Sequence, residues 1–338
     1  MAKSTKKDNV LVELKNVRKW FAVQSGLLER LLAGRTDHVR AVDGVSFKIK
    51  QGEVFGLAGE SGSGKSTIGR LALRLEEPTE GQVLFDGADL SALSSEELRR
   101  ERRRMQVIFQ DPMAALNPRM SVGEALRHPL RIHFPDQSKE HRQMILDILA
   151  RVGLTPPENY YDKYPHQISG GQRQRVVIAR ALITKPDLVL ADEPIAMADV
   201  SVRAQLLALM NELKDEFNLT YLFITHDLAT AKYICDRIGI MYLGKLVEVG
   251  DLKEVFTHPL HPYTQALLAA VPVPNPHDRR TEPMPEGEIP NAINPPSGCR
   301  FHPRCPVARE GHCDVESPKL RELRPGHMVA CHYAEDYL

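Results

Sequence analysis

Residues 59–67 read GESGSGKST, three glycines and one lysine following the apolar run Val54 to Ala58. Glycine weakens both strand and helix, so a chain that places three of them at this junction needs backbone where side chains would obstruct. The spacing states the need. Gly59, four residues, then Gly64, Lys65 and Ser66 match a phosphate loop, in which backbone N–H groups wrap phosphate oxygens. The helix that opens near Ser66 adds the positive end of its dipole. Lys65 is placed to reach the β- and γ-phosphates and the Ser66 hydroxyl to ligate Mg²⁺. A plain glycine-rich turn fits less well, because strand, loop and helix come in the required order. The candidate loop comprises Gly59, Glu60, Ser61, Gly62, Ser63, Gly64, Lys65, Ser66 and Thr67.

Lys plus Arg and Asp plus Glu both number 44, giving a formal net charge of zero. That argues against broad electrostatic binding to nucleic acid. No apolar run approaches the ~20 residues that cross a bilayer. The polar start MAKSTKKDN reads as a frayed N-terminus rather than a signal peptide, which predicts a cytoplasmic protein with any membrane role exerted through partners. Its 338 residues allow one large domain or two ordinary ones.

Along the chain, VLVELKN and RAVDGVSFKIK alternate like strands. SGLLERLLAGRTDH between them predicts a short surface helix in an inserted loop. LSSEELRRERRR predicts a helix whose arginines form a solvated face beside glutamates rather than a nucleic-acid patch. A largely helical stretch runs from about Val122 to Leu154. The apolar strands LVLAD and YLFITHD, each preceded by helical sequence, argue for a buried, largely parallel sheet. After about residue 256 the sequence turns proline-rich and helix-poor, which marks a domain boundary.

LVLADEP ends an apolar strand in two carboxylates. Asp192 suits Mg²⁺, and Glu193 can orient or deprotonate a water aimed at a γ-phosphate. Helix capping would also place acids here, but not together with a phosphate loop. ISGGQRQRVVIARAL, residues 168–182, offers a second helix N-terminus poor in side chains, hence a second anion cradle at Ser169, Gly170 and Gly171. One nucleotide does not need two cradles from one chain. Two chains facing head to tail would give one of each to every nucleotide.

These motifs together resemble the ATP-binding cassette (ABC) ATPases. ISGGQ, through Gln172, is similar to their LSGGQ signature, with Ile168 for leucine. Gln110 in VIFQDP matches the Q-loop, His226 in FITHDL the switch histidine, and Asp199 the D-loop aspartate. Phe21, beside Trp20, sits where the family stacks an aromatic on adenine. The resemblance covers about residues 10–256. It implies an α/β cassette, a RecA-like core sheet plus a helical signature subdomain at about 111–180, that binds ATP and Mg²⁺. Ser66, Gln110 and Asp192 are implied around the metal, and Glu193, His226 and Gln110 as the catalytic set. His226 standing alone would read as a core histidine. The D-loop departs from the family's Ser-Ala-Leu-Asp, reading Ala196, Met197, Ala198, Asp199, which points to pairing with a non-identical ATPase.

HPLHPYTQALLAAVP and GCRFHPRCP resemble the C-terminal segment of dipeptide and oligopeptide importer ATPases. By that resemblance residues 257–338 form a small irregular metal-binding extension. Two permease subunits, a second ATPase and an extracytoplasmic binding protein are the implied partners, at the cytoplasmic face of the membrane. Nickel, glutathione and sugar importers share the architecture and stay open as alternatives, with an exporter ATPase or a soluble ABC ATPase not engaged in transport further behind. Coiled-coil chromosome ATPases and two-cassette translation factors do not fit. FQDPMAALNPRMSVGEAL offers apolar and small residues to a permease helix. Cys299, Cys305, Cys313 and Cys331 are separated by five, seven and seventeen residues. Four thiolates serve either tetrahedral Zn²⁺ or a [4Fe–4S] cluster, and the spacing lacks the C-x₂-C pairs common in zinc ribbons. The resemblance favours [4Fe–4S]. Disulfides conflict with a reducing compartment. His302, His312, His327 and His332 lie nearby and could replace a cysteine, though solvated surface histidines are the better reading.

Overall fold

The computed structural model describes residues 9–23, 38–271, 288 and 290–338. The expected frayed start, most of the inserted-loop helix and the proline-rich run after residue 271 lie outside the described residues. Among those described, the strands in chain order are β1 (Val10–Ala22), β2 (His38–Lys50), β3 (Val54–Ala58), β4 (Glu80–Phe85), β5 (Ala88–Asp89), β6 (Met105–Ile108), β7 (Leu188–Asp192), β8 (Thr220–Ile224), β9 (Arg237–Tyr242), β10 (Lys245–Asp251), β11 (Arg321–Arg324) and β12 (His327–Val329). The chain divides into two compact units. One holds residues 1–9, 50–54 and 92–223, the other 10–49, 55–91 and 224–338.

The first unit carries β6, β7 and β8 and most of the helices. β7 and β8 are apolar and buried almost throughout, as strands covered on both faces must be. β6 and β7 run parallel, Met105 opposite Leu188 and Ile108 opposite Ala191. The helices Val122–His133, His141–Arg151 and Gly170–Leu182 pack on one another. Val122–His133 starts at a capping box, Ser121 with Glu124, an arrangement that stabilises a helix start by about 1 kcal/mol. In the charged helix Ser95–Glu101, Arg100 pairs with Glu96 on an open surface. Such a pair adds at most about 0.5 kcal/mol.

The second unit holds two sheets. The first has the order β2-β1-β4-β5, and β1 with β4 and β4 with β5 are antiparallel. The second contains β11-β12-β10-β9-β3, in which β9 and β3 are parallel and the rest antiparallel. Phe47 of β2 stacks on Phe55 of β3 with ring centroids 4.8 Å apart. The C-terminal extension is therefore not wholly irregular. Its hairpin β11–β12 turns at Pro325–Gly326, where Gly326 takes φ 72°, and continues the sheet from β10. A small core of Leu260, Val329 and Ala334, flanked by Leu323, Cys331 and Tyr337, supports it.

Candidate functional site

The phosphate loop follows β3, whose five residues are all buried. Gly59 has φ 148°, and a Cβ there would fall 2.2 Å from the Met241 carbonyl oxygen. Gly64 has φ 101°, and its Cβ would fall 2.2 Å from the Ala41 carbonyl oxygen. No other residue fits either position. Gly64 then caps the helix Lys65–Ala72, which leaves the helix entrance without a capping side chain. Ser66 and Thr67 lie in its first turn. Lys65 is buried, and its Nζ donates to the carbonyls of Gly59 and Glu60, both at 2.8 Å, and to Ser63 Oγ at 3.3 Å. A phosphate offers that ammonium a full negative charge in place of neutral oxygens, and charge-assisted bonds are about twice as strong.

In the other unit, the parallel register of β6 and β7 carries Gln110 and Glu193 off neighbouring strand ends. Gln110 Nε2 donates to Glu193 Oε2 at 2.8 Å. Asp192 is the last residue of β7. Glu193 holds φ 47°, the left-handed region, which disfavours a side chain and concentrates at functional sites.

Ser169 Oγ accepts the Gln172 N–H, and the Gln172 side chain accepts the Ser169 N–H, closing a capping box at the helix Gly170–Leu182. A Cβ on Gly170 would meet nothing within 4 Å, so that helix end is open. It borders a cavity of about 230 Å³ shared with Pro194, Met197, Ala198 and Asp199. Arg203 Nε donates to the Ala198 carbonyl at 2.8 Å and steadies the loop. Met197 is 68 % exposed.

His226 is exposed just after β8, which removes the core-histidine reading. Phe21 is also exposed, with Lys19 Nζ 4.9 Å from its ring centre, whereas Trp20 lies beside the Arg18 and Arg40 guanidinium groups.

The HPLHPY stretch resolves into a set of bonds. Buried Glu248 accepts the backbone N–H groups of Leu260 and His261 at 2.8 and 3.0 Å, and His327 Nε2 meets it at 2.7 Å. His261 Nδ1 accepts the Tyr263 N–H and caps the helix Pro262–Ala269. Burial lowers the His261 pKa to about 4, which leaves Nδ1 free to accept. His302 and His332 bond to carbonyls, at Cys299 and Glu316 respectively, and His312 Nδ1 to the Tyr333 hydroxyl.

Among the described residues no three His, Cys, Asp or Glu side chains gather closely enough to hold a metal ion. The expected metal-binding extension is thus not present as a formed site, and none of the five cysteines is in a disulfide. Cys235 packs on Gly56, away from the rest. The four tail thiols do influence one another electrostatically in every pairing. Burial pushes Cys299, Cys305 and Cys331 up to about 11, so thiolates here need a cation. A backbone N–H faces a tail sulfur, Arg309 donating to Cys313 Sγ at 3.4 Å, while the His302 N–H goes to the Cys299 carbonyl at 2.9 Å. Tyr263 and Arg304 escaped sequence reasoning because no local pattern reports a bond to a residue 203 or 244 positions away, and Glu248 because its partners lie 12 to 79 positions off.

The family "ABC transporter" matches residues 42–196, and "Oligopeptide/dipeptide transporter, C-terminal region" matches residues 247–313. The oligopeptide transport ATP-binding protein AppF of Bacillus subtilis is 49% identical over 325 residues, covering 95% of this chain and 97% of that protein. The dipeptide transport ATP-binding protein DppF of Haemophilus influenzae is 42% identical over 335 residues, covering 99% of this chain and 100% of that one. A dimeric post-hydrolysis ATP-binding cassette, MJ0796 bound to ADP and Pi, superposes with a TM-score of 0.62 at 32% identity, over 72% of this chain and 99% of that one. The phosphate loop, the Gln110–Glu193 pair and the open signature helix, together with these likenesses, show that the chain belongs to the ABC transporter ATPases, in the branch of the oligopeptide and dipeptide transport ATP-binding proteins.

Proposed function

We propose that this chain hydrolyses ATP to energise import of dipeptides or oligopeptides through permease subunits. The observation that carries hydrolysis is Glu193, in a left-handed backbone and bonded to Gln110. Lys65 and the loop N–H groups take the phosphates. Ser66, Asp192 and Gln110 would hold Mg²⁺, which neutralises charge developing on the transferred phosphoryl group. Glu193 accepts a proton as water attacks the γ-phosphorus and the bond to the β,γ-bridging oxygen breaks, releasing ADP and phosphate. His226 steadies the γ-phosphate, and Phe21 stacks on adenine.

Ser169, Gly170, Gly171, Gln172 and Asp199 serve the nucleotide of a second cassette. The open signature helix and the adjoining exposed Met197 support that reading, and the altered D-loop supports a non-identical partner. Exposed Phe109 and Met113 suit a permease helix. No helix among the described residues is long and apolar enough to cross a membrane. In this proposal attachment at the cytoplasmic face runs through the permeases, and a binding protein delivers the substrate. Residues 10–256 act as the cassette, with the helical subdomain at about 111–180, and 257–338 as its extension.

In the tail, Cys299, Cys305, Cys313 and Cys331 would hold a [4Fe–4S] cluster in a structural role. The proximity of the four thiols, each pushing up its neighbours' pKa, and the Arg309 N–H at the Cys313 sulfur support a shared ligand set; the resemblance to peptide-importer ATPases favours the cluster over Zn²⁺.

The substrate reading is tested by uptake in cells lacking this chain. Loss of labelled dipeptide or oligopeptide uptake, with nickel, glutathione and sugar uptake intact, is expected. The converse pattern assigns one of those cargoes instead.

A further inference from the structure

Glu60, the second residue of the phosphate loop, is held at all three of its polar groups. Its backbone N–H donates to the Tyr263 hydroxyl at 2.9 Å. Its carboxylate receives Arg304 Nη1 at 2.9 Å and Nη2 at 3.3 Å. Its carbonyl accepts Lys65 Nζ at 2.8 Å. Two of the three holds come from the C-terminal extension.

We infer that Tyr263 and Arg304 of the extension are positioning residues for ATP binding, acting through Glu60 to fix the phosphate loop and the approach of Lys65. The loop around Glu60 is made of glycine and serine, and Gly62 has no neighbour within 4 Å of where a Cβ would stand. At its tip side-chain packing therefore does not set its shape; hydrogen bonds do, those of Glu60 together with the Ser63 carbonyl that accepts the Gly244 N–H at 2.9 Å. The hold is rigid. The Arg304 side chain is 7 % exposed and that of Glu60 19 %. Their bonds keep the guanidinium firmly cationic. Arg304 Nη1 also lies 3.4 Å from the Tyr242 hydroxyl. Tyr263 is wedged against Tyr242 and Phe301, with ring centroids 4.7 and 5.4 Å away. An apolar contact would anchor the extension as well as a half-buried ion pair, which is costly to desolvate. What the ion pair adds is a fixed direction for the Glu60 backbone. A loop already in its bound shape loses less entropy when phosphate arrives.

The inference rests on residues 59–66 being the ATP site, and the experiment separates the two. MgATP is titrated calorimetrically against the full-length chain and its variants, with thermal melts alongside. Lys65→Ala tests the site itself, and unchanged affinity there overturns both ideas. Arg304→Ala and Glu60→Gln are each expected to weaken ATP binding about 10-fold, up to about 100-fold, as loss of a hydrogen bond to a charged partner does. Arg304→Lys recovers part of the loss, and Tyr263→Phe weakens binding a few-fold. The double variant Glu60→Gln, Arg304→Ala is no weaker than Arg304→Ala alone, since the two act as one. In steady state, measured in the assembled transporter, the ATP KM rises and kcat changes little. If Lys65→Ala abolishes binding while Arg304→Ala and Glu60→Gln only lower the melting temperature, the contact merely anchors the extension and the inference falls. Should Arg304→Ala not fold, Glu60→Gln and Tyr263→Phe decide alone, and wild-type affinity in both overturns it.

Discussion

Gln110 Nε2 donates to Glu193 Oε2 across 2.8 Å, though the two residues are 83 positions apart in sequence. The parallel pairing of β6 with β7 brings them side by side, since Ile108 faces Ala191 and each chain then runs two residues further. A carboxylate that is to accept a proton from water needs a fixed direction, and this bond provides it.

Gln110→Ala should therefore slow hydrolysis about 10-fold or more, a larger loss than the fall in MgATP affinity that its place at Mg²⁺ brings. That magnitude is the loss of one hydrogen bond to a charged group. Parallel measurement of kcat and of ATP affinity checks it. Equal loss in both would place Gln110 in nucleotide binding instead.

A pH effect follows from His261. Burial lowers its pKa from 6.5 to about 4, with the Glu248 charge acting weakly the other way. The unfolded chain takes up this proton near pH 6.5 and the folded chain only near 4. Between those values the unfolded state binds more protons, so stability falls as pH drops through that window. The contribution is at most about 3 kcal/mol by the standard conversion. His261→Asn keeps a helix-capping side chain and should flatten the decline in melting temperature between pH 6.5 and 4. An unchanged slope would assign the acid sensitivity elsewhere.

The tail cysteines make a spectroscopic prediction. Anaerobically purified protein should be brown, absorb broadly near ~400 nm as iron–sulfur proteins do, and contain iron and acid-labile sulfide. Changing Cys299 and Cys305 together to serine should remove both. Colourless protein with stoichiometric zinc would replace the cluster by a single ion.

The D-loop makes another. Purified alone, the chain carrying Glu193→Gln should stay monomeric with ATP in size-exclusion chromatography with light scattering, as the proposed pairing with a non-identical partner through Met197 and the two alanines beside it predicts. A stable ATP-dependent homodimer would contradict that reading.

The phosphate loop was legible from sequence because glycine spacing there answers a steric demand, and Met241 and Ala41 supply it at Gly59 and Gly64. The buried strands were legible from unbroken apolar runs such as LVLA. The β11–β12 hairpin was not foreseen, because its strands are short and charged and only Pro325–Gly326 marks the turn. Glu60 looked like one more loop residue. Its role depends on Arg304, 244 positions away, and distance in sequence conceals such pairs. The four cysteines were visible as a cluster, but spacing does not set how closely their sulfurs converge.

The central claim, that hydrolysis at Glu193 drives import, is tested most directly by ATP-dependent uptake of labelled peptide into proteoliposomes holding the complete transporter. With Glu193→Gln in this chain, ATP binding should persist while hydrolysis and uptake fall together, by the roughly 10²–10⁴-fold that loss of a general base brings. Undiminished uptake and turnover with Glu193→Gln would contradict the account.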